Sequence, residues 1–293
     1  MHHERRGEPG VVENVISVND KCHAIPGLCM MDGLVETLRT GRQMRPGIEL
    51  AALSDIGCQR ENNEDSYSYW EPAGDKDFQR QGRLITVADG MGGYAGGQEA
   101  SHIAVATIEQ VYSSNGDGNP SAALSAAFQV AHQRIKEYAE SHPTLRGMGT
   151  TCTAVALVGH DLYYAHVGDS RLYLSQHSKI FRITRDQTYV GRLVEQGIIN
   201  PEEAGSHPQR NILTGALGAG QEIAPESPQQ PITLEKGDVL VLCTDGLWSL
   251  VSEEEIKNAL VTGTLQNACQ TLIKLAKERG GPDNITVQML RVF

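Results

Sequence analysis

A chain of 293 residues with 40% hydrophobic side chains can close one large core or two ordinary ones, which excludes disorder as its dominant state. Acidic residues outnumber basic ones by 36 to 25, and the formal net charge of −11 repels phosphate backbones and anionic lipid, so neither nucleic acid nor membrane is an expected partner. No apolar run reaches the roughly eighteen residues of a membrane span, and the N-terminal stretch lacks the order of a secretory signal, so a cytoplasmic protein is expected. The six cysteines contain no C-x-x-C pair, which argues against a zinc finger, a redox motif or a disulfide scaffold.

Residues 1–47 show no sustained periodicity and are punctuated by Pro9, Gly10, Pro26, Gly27, Pro46 and Gly47, which predicts a loosely ordered N-terminal extension. Cys22, His23 and Cys29 lack a fourth ligand for a metal site. From Ile48 onward strands are expected at Ile48–Leu53, Leu84–Ala88, Thr150–Val158, Leu162–Val167, Leu172–Ser175, Val239–Thr244 and Ile285–Leu290. Helical spacing appears at Gln98–Tyr112, Ala122–Ala139, Glu253–Ala259 and Gln266–Glu278. Helix follows helix instead of alternating with strands, which favours an α+β architecture over a doubly wound parallel sheet. Gly168-Asp169-Ser170-Arg171 reads as a hairpin turn between two antiparallel strands.

Acids recur at strand ends. Leu84–Ala88 runs into Asp89-Gly90, and Val239–Thr244 runs into Asp245-Gly246. Glu64-Asp65 precedes an aromatic stretch, Asp169 sits in the expected hairpin, and Asp283-Asn284 opens the last strand. Taken singly, each Asp-Gly pair is an ordinary turn. Taken together, six carboxylates meeting at one edge could not all stay ionised without cations. Oxygen ligands without His or Cys select hard ions such as Mg²⁺ or Mn²⁺. Gly90 would let its own carbonyl turn inward as a further oxygen ligand. Arg60, four residues before Glu64, could hold a phosphate through two parallel N–H bonds, or could form a plain surface pair with Glu61 or Glu64.

These residues resemble the metal-dependent protein phosphatases of type 2C (the PPM family), in particular their compact bacterial Ser/Thr members, over residues 48–293. The likeness rests on S-D-I-G-C-Q-R-E-N-N-E-D (54–65), V-A-D-G-M-G-G (87–93), G-M-G-T-T (147–151), V-G-D-S-R (167–171), the segment from Asp186 to Gly218, C-T-D-G-L-W (243–248) and G-G-P-D-N-I-T (280–286). The resemblance implies a four-layer α-β-β-α sandwich of two antiparallel sheets flanked by helical pairs, with two Mn²⁺ or Mg²⁺ ions at one end. It implies a bridging ligand at Asp89, a carbonyl ligand at Gly90, first-metal ligands at Asp245 and Asp283, and second-metal ligands at Glu64 and Asp65, direct or through water. Asp169 with Asp245 resembles a third, weaker ion site, Arg60 the phosphate-holding residue, and 186–218 a flap that affects substrate choice.

The activity so implied is hydrolysis of phosphoserine and phosphothreonine monoesters by direct attack of a metal-bridging water, opposing a Ser/Thr protein kinase, with phosphorylated proteins as substrates. Met91 stands where eukaryotic members place a histidine proposed as general acid, which leaves metal-bound water as proton donor. Tyr94, Gln98, Gln187 and Gly215 also depart from the bacterial pattern. Rival readings are weaker: Gly90–Ala95 matches a dinucleotide fingerprint but leads into a second helix, and no cysteine precedes an arginine at phosphate-loop spacing. Asp75-Lys76-Asp77 follows a polar loop and reads as solvated charge. A catalytically dead phosphoprotein-binding module would be expected to lack some of these acids. His102, His132, His160, His166, Trp70, Trp248, Tyr163, Tyr164 and Tyr173 read as packing or surface residues.

Overall fold

The computed structural model describes residues 44–92, 96–115, 118–261 and 263–293. Strands β1 (Ile48–Asp55), β2 (Asp65–Trp70), β3 (Arg83–Met91), β4 (Gly149–Thr150), β5 (Cys152–Val158), β6 (Asp161–Val167), β7 (Arg171–Gln176), β8 (Lys179–Arg182), β9 (Ile232–Thr233), β10 (Val239–Cys243) and β11 (Ile285–Val292) form two sheets. One runs β1-β11-β10-β7-β8 and the other β2-β3-β5-β6-β9, with β4 attached to β3. All the strand pairs are antiparallel. Helices α1 (Asp75–Gln81), α2 (Gly96–Ser113), α3 (Pro120–Ser141), α4 (Tyr189–Glu195), α5 (Pro201–Ser206), α6 (Asp245–Trp248), α7 (Glu253–Val261) and α8 (Leu265–Glu278), with a 3₁₀ turn at Pro143–Leu145, complete the elements among the described residues.

Alternation along each central strand explains the layering. In β3, Ile85 and Val87 face the opposite sheet while Leu84 and Ala88 face α2 and α3. In β10, Leu240 and Leu242 point inward while Val239, Val241 and Cys243 meet α7 and α8. Strands buried on both faces read as continuous apolar runs, which is why β3, β5 and β10 stand out in the sequence. The expected four layers are observed, with three apolar clusters between them. The helix ends are fixed locally: Asn119 accepts from the Ala122 N–H ahead of Pro120 at the start of α3, and Thr264 accepts from the Asn267 N–H at the start of α8.

Several expectations are corrected. The strand expected over Thr150–Val158 is interrupted at Thr151: its N–H still donates to the Asp89 carbonyl on β3 at 2.9 Å, but the Asp89 N–H donates to Thr151 Oγ1 at 3.0 Å. Gly168–Arg171 is not a hairpin, because β6 and β7 lie in different sheets and the turn carries the chain from one to the other. A two-residue hairpin of type I′ needs positive φ at both central positions. Gly168 has it at 107°, but Asp169 does not, whereas His177 and Ser178 both do, at 51° and 61°, and join β7 to β8. Asp75, Lys76 and Asp77 are exposed, in keeping with solvated charge, and both acids lie in the first turn of a helix, where acids are favourable.

The extension expected over 1–47 falls outside the described residues up to 43. Its last residues are tied to the body: Met44 packs on the inter-sheet cluster, and the Arg45 guanidinium lies 4.7 Å from the Phe78 ring centroid and bonds Asp75 at 2.6 Å. Among the described residues Cys152, Cys243 and Cys269 are buried and Cys58 is exposed. No helix of the described residues is long and apolar enough to cross a membrane.

Phe128 of α3 is fully buried against the second sheet. Phe128→Ala should cost about 3–5 kcal/mol of unfolding free energy in a urea titration of metal-free protein. A loss under about 1 kcal/mol would contradict this packing.

Candidate active site

The site forms where both sheets end together. Asp65 and Asp89 are direct cross-strand neighbours on β2 and β3. Like charges in that position destabilise an antiparallel pair. The turn after β6 brings Asp169, the end of β10 brings Asp245, and the approach to β11 brings Asp283, and each of these carboxylates raises the pKa of Asp89. Glu64, Asp65, Asp89, Asp169, Asp245 and Asp283 thus come from five separate stretches of sequence into one mouth, with Gly90 beside them.

Neither Asp-Gly pair is a turn. Asp89-Gly90 lies inside β3 and Asp245-Gly246 opens α6. A β-carbon on Gly90 would be driven into the Gly97 carbonyl, and one on Gly246 into the Asn284 carbonyl. Gly90 keeps an ordinary φ, so its glycine is needed for close backbone approach and not for the conformational freedom expected of it.

Neutral donors hold the acids in place. The Thr150 hydroxyl donates to the Asp89 carbonyl at 2.8 Å, and the Asp89 N–H donates to Thr151 Oγ1 at 3.0 Å. Thr244 Oγ1 donates to Asp65 Oδ2 at 2.9 Å and accepts from the Thr286 N–H at 3.0 Å. Asn284 donates to the carbonyls of Ile56 and Asn62 and accepts from the Glu64 N–H at 2.8 Å, which fixes the loop bearing Arg60. Arg60 pairs with Asp283 at 2.8 Å, not with Glu61 or Glu64 as the surface reading had it, and remains about half exposed.

Burial is the first cause of the electrostatics, and mutual repulsion the next. Asp65 is pushed up to about 7 despite its Thr286 and Thr244 hydrogen bonds, with Asp245 and Asp283 adding to the rise. Asp169 reaches about 8 through burial and then Asp245. Asp245 reaches about 6 through burial and then Asp283, opposed by a hydrogen bond with Asp89 and by the charge of Arg60. Asp89 lies well above the carboxylate range through burial and four acidic neighbours, and Glu64 is raised by burial against the pull of Arg60.

The chemistry of the donors fits a divalent cation. Asp65 Oδ1 and Asp245 Oδ1 are buried without a hydrogen-bond partner, and a buried acceptor left unmet costs about 1–3 kcal/mol. Among the described residues no three His, Cys, Asp or Glu side chains already form a cage around one point. The fit is therefore one of donor type and charge, an all-oxygen set suited to Mg²⁺ or Mn²⁺.

Around the rim, Arg171 makes a two-pronged pair with Asp186 at 3.0 and 2.7 Å and lies 3.6 Å from the Trp248 ring centroid. Trp248 donates its indole N–H to the Asp169 carbonyl at 2.9 Å, so it is a strut of the site as well as packing. Trp70 meets Tyr112 edge-on, as core packing would have it. His166 is fully buried and bonds Thr153, Gly168 and Arg185, so it serves the turn before Asp169. Thr151, Thr244, Thr286 and Asn284 were not singled out in the sequence, although each lies within or beside a quoted motif. Tyr94 falls outside the described residues.

The protein phosphatase 2C family model matches residues 59–277. The serine/threonine protein phosphatase PstP of Mycobacterium tuberculosis is 41% identical over 240 residues, covering 82% of this chain and 44% of that protein. The chain thus spans less than half the length of that relative. Protein phosphatase PhpP of Streptococcus pneumoniae is 33% identical over 248 residues, covering 83% of this chain and 97% of PhpP. The PstP catalytic domain solved in complex with two manganese ions superposes with a TM-score of 0.72 at 37% identity, covering 84% of this chain and 98% of that one.

Raised carboxylate pKa values mean that the folded, metal-free chain binds more protons than the unfolded chain between the ordinary aspartate value of 3.8 and about 8. Their contribution to stability is present below that window and is lost as the pH climbs through it. The melting temperature of metal-free protein should therefore fall across the window, and saturating Mn²⁺ should abolish the fall. Identical pH profiles with and without Mn²⁺, read by differential scanning fluorimetry, would show that the acids do not form one coupled site.

Proposed function

The chain belongs to the protein phosphatase 2C family, and from that premise we propose that it hydrolyses phosphoserine and phosphothreonine in proteins, using divalent metal held by Glu64, Asp65, Asp89, Gly90, Asp169, Asp245 and Asp283. The observation that carries this reading is the meeting of Asp65, Asp89, Asp169, Asp245 and Asp283 at one buried mouth with two carboxylate oxygens unpartnered. Two Mn²⁺ or Mg²⁺ ions, with a third held more weakly, would supply charge neutralisation and acidify water there.

The chain's own residues do the rest. Thr150 and Thr151 lock the main chain of Asp89 on both its N–H and its carbonyl, so that its side chain cannot retreat from Asp65. Arg60, on the loop fixed by Asn284, lies at the exposed rim where a phosphate would arrive. Its guanidinium can exchange the single contact with Asp283 for two parallel bonds to phosphate oxygens. Met91 carries no exchangeable proton, so the leaving alkoxide draws its proton from water. The partners proposed are Ser/Thr-phosphorylated proteins and the kinase that makes them. The setting proposed is the cytoplasm, in keeping with four free thiols among the described residues.

Mn²⁺-dependent release of phosphate from p-nitrophenyl phosphate and a phosphothreonine peptide tests the activity, and EDTA should abolish it. Asp89→Asn should reduce turnover on the order of a hundredfold or more while leaving metal-free stability equal or higher, since one repelling charge is gone. Full activity in Asp89→Asn, or no turnover by metal-loaded wild type, would refute the reading. Arg60→Ala should lower kcat/KM on the order of a hundredfold, and Arg60→Lys should recover little, because an ammonium cannot reproduce two parallel bonds.

A further inference from the structure

Asp169 follows a turn clamped by a side chain from the neighbouring loop. The Gly168 N–H donates to Gln187 Oε1 at 3.2 Å, and the Gln187 N–H donates to the Gly168 carbonyl at 2.7 Å. Gln187 Nε2 donates to the His166 carbonyl at 3.4 Å, and the Gln187 carbonyl accepts from the Thr214 N–H at 2.7 Å. One residue thus ties the end of β6 to both ends of the segment from Asp186 to Gly218. Its amide has room only because residue 215 has no side chain: a β-carbon on Gly215 would overlap Gln187 Oε1 and approach Cδ at 3.2 Å, yet would stand 3.5 Å from Cβ. Gly215 does not have the positive φ that would itself require glycine.

We propose that Gln187, seated over Gly215, is a positioning residue for Asp169, setting the turn and through it the affinity of the third, weaker divalent-ion position that Asp169 would share with Asp245. The inference rests on the metal reading of the site given above. Gln187 touches no reacting atom. It acts on the main chain immediately before Asp169, while Trp248 holds the Asp169 carbonyl and the Thr151 hydroxyl meets that of Ser170 at 2.7 Å. Groups that orient a metal ligand in this way are worth about 10–100-fold in metal affinity. The two positions are one device: a side chain at 215 and the Gln187 amide compete for the same volume.

The test is a double-mutant cycle read by calorimetric titration of Mn²⁺ into the full metal-free chain, with melting temperature as a fold control. Gln187→Ala should weaken the weaker binding event about tenfold and leave the tighter events unchanged. Gly215→Ala, which keeps every atom of Gln187, should weaken the same event by a similar factor by pushing the amide aside. In Gln187→Ala the extra methyl at 215 meets only a β-carbon at ordinary contact distance, so the double variant should match Gln187→Ala alone. Wild-type affinity in both single variants, additive effects in the double, or parallel weakening of all events would overturn the proposal. A wild-type chain that binds no Mn²⁺ at all would instead overturn the metal reading beneath it.

Discussion

Two aspartates face each other across a pair of adjacent strands, and much of the site's architecture manages that repulsion. In an ordinary antiparallel sheet Asp65 opposite Asp89 would be a fault, worth up to about 1 kcal/mol against the pairing even when exposed. Here Asp65 is buried and Asp89 half-buried, and Asp169, Asp245 and Asp283 add to the repulsion. A fold tolerates such a cluster only if protons or cations neutralise it and if the backbone beneath cannot yield. The sandwich supplies the second condition, because β3 and β11 are central strands with partners on both sides.

Rigidity at the mouth comes from small neutral donors. The hydroxyls of Thr150 and Thr151 hold the main chain of Asp89, that of Thr244 donates to the Asp65 carboxylate, that of Thr286 meets the Ser54 hydroxyl, and Asn284 serves three main-chain groups. A lysine or arginine in these places would also satisfy the carboxylates, but it would neutralise them permanently and leave no charge for a metal. Hydroxyls and amides fix position while leaving the negative field intact. The full-strength cations nearby sit at the rim: Arg60 about half exposed on Asp283, and Arg171 committed to Asp186.

The long strands and helices were legible in the sequence because strands buried on both faces give continuous apolar runs and the outer helices give clean 3.6-residue spacing, whereas their stacking into four layers followed only from the family resemblance. Elements without such patterns were missed: β2, where serine and tyrosine alternate, the polar helix α1, and the small elements β8, β9, α4, α5 and α6. The six acids and Arg60 could be named because each lies at an apolar strand's end or within a quoted motif. Their local setting could not be read, since register and sheet membership are long-range facts. Asp89-Gly90 looked like a turn because the partner that needs the glycine, Gly97, packs against it from the start of a helix. Gly168–Arg171 looked like a hairpin because a tight turn between strands does not say whether the strands share a sheet.

Charge accounting at the mouth bears on the placement of Asp169. Six carboxylates and Arg60 leave five formal negative charges when all are ionised, and a phosphate monoester dianion approaching that field is repelled. Two divalent ions leave one negative charge, and the mouth stays mildly unfavourable to the substrate. A third ion reverses the sign. The turn that carries Asp169 is gripped by Trp248, Gln187 and Thr151, so on the proposed metal reading Asp169 is the acid whose placement would decide whether the sign reverses. On the metal reading proposed above, the loop beyond β8 would influence phosphate entry without touching the other acids, because that loop reaches the turn before Asp169 through Gln187.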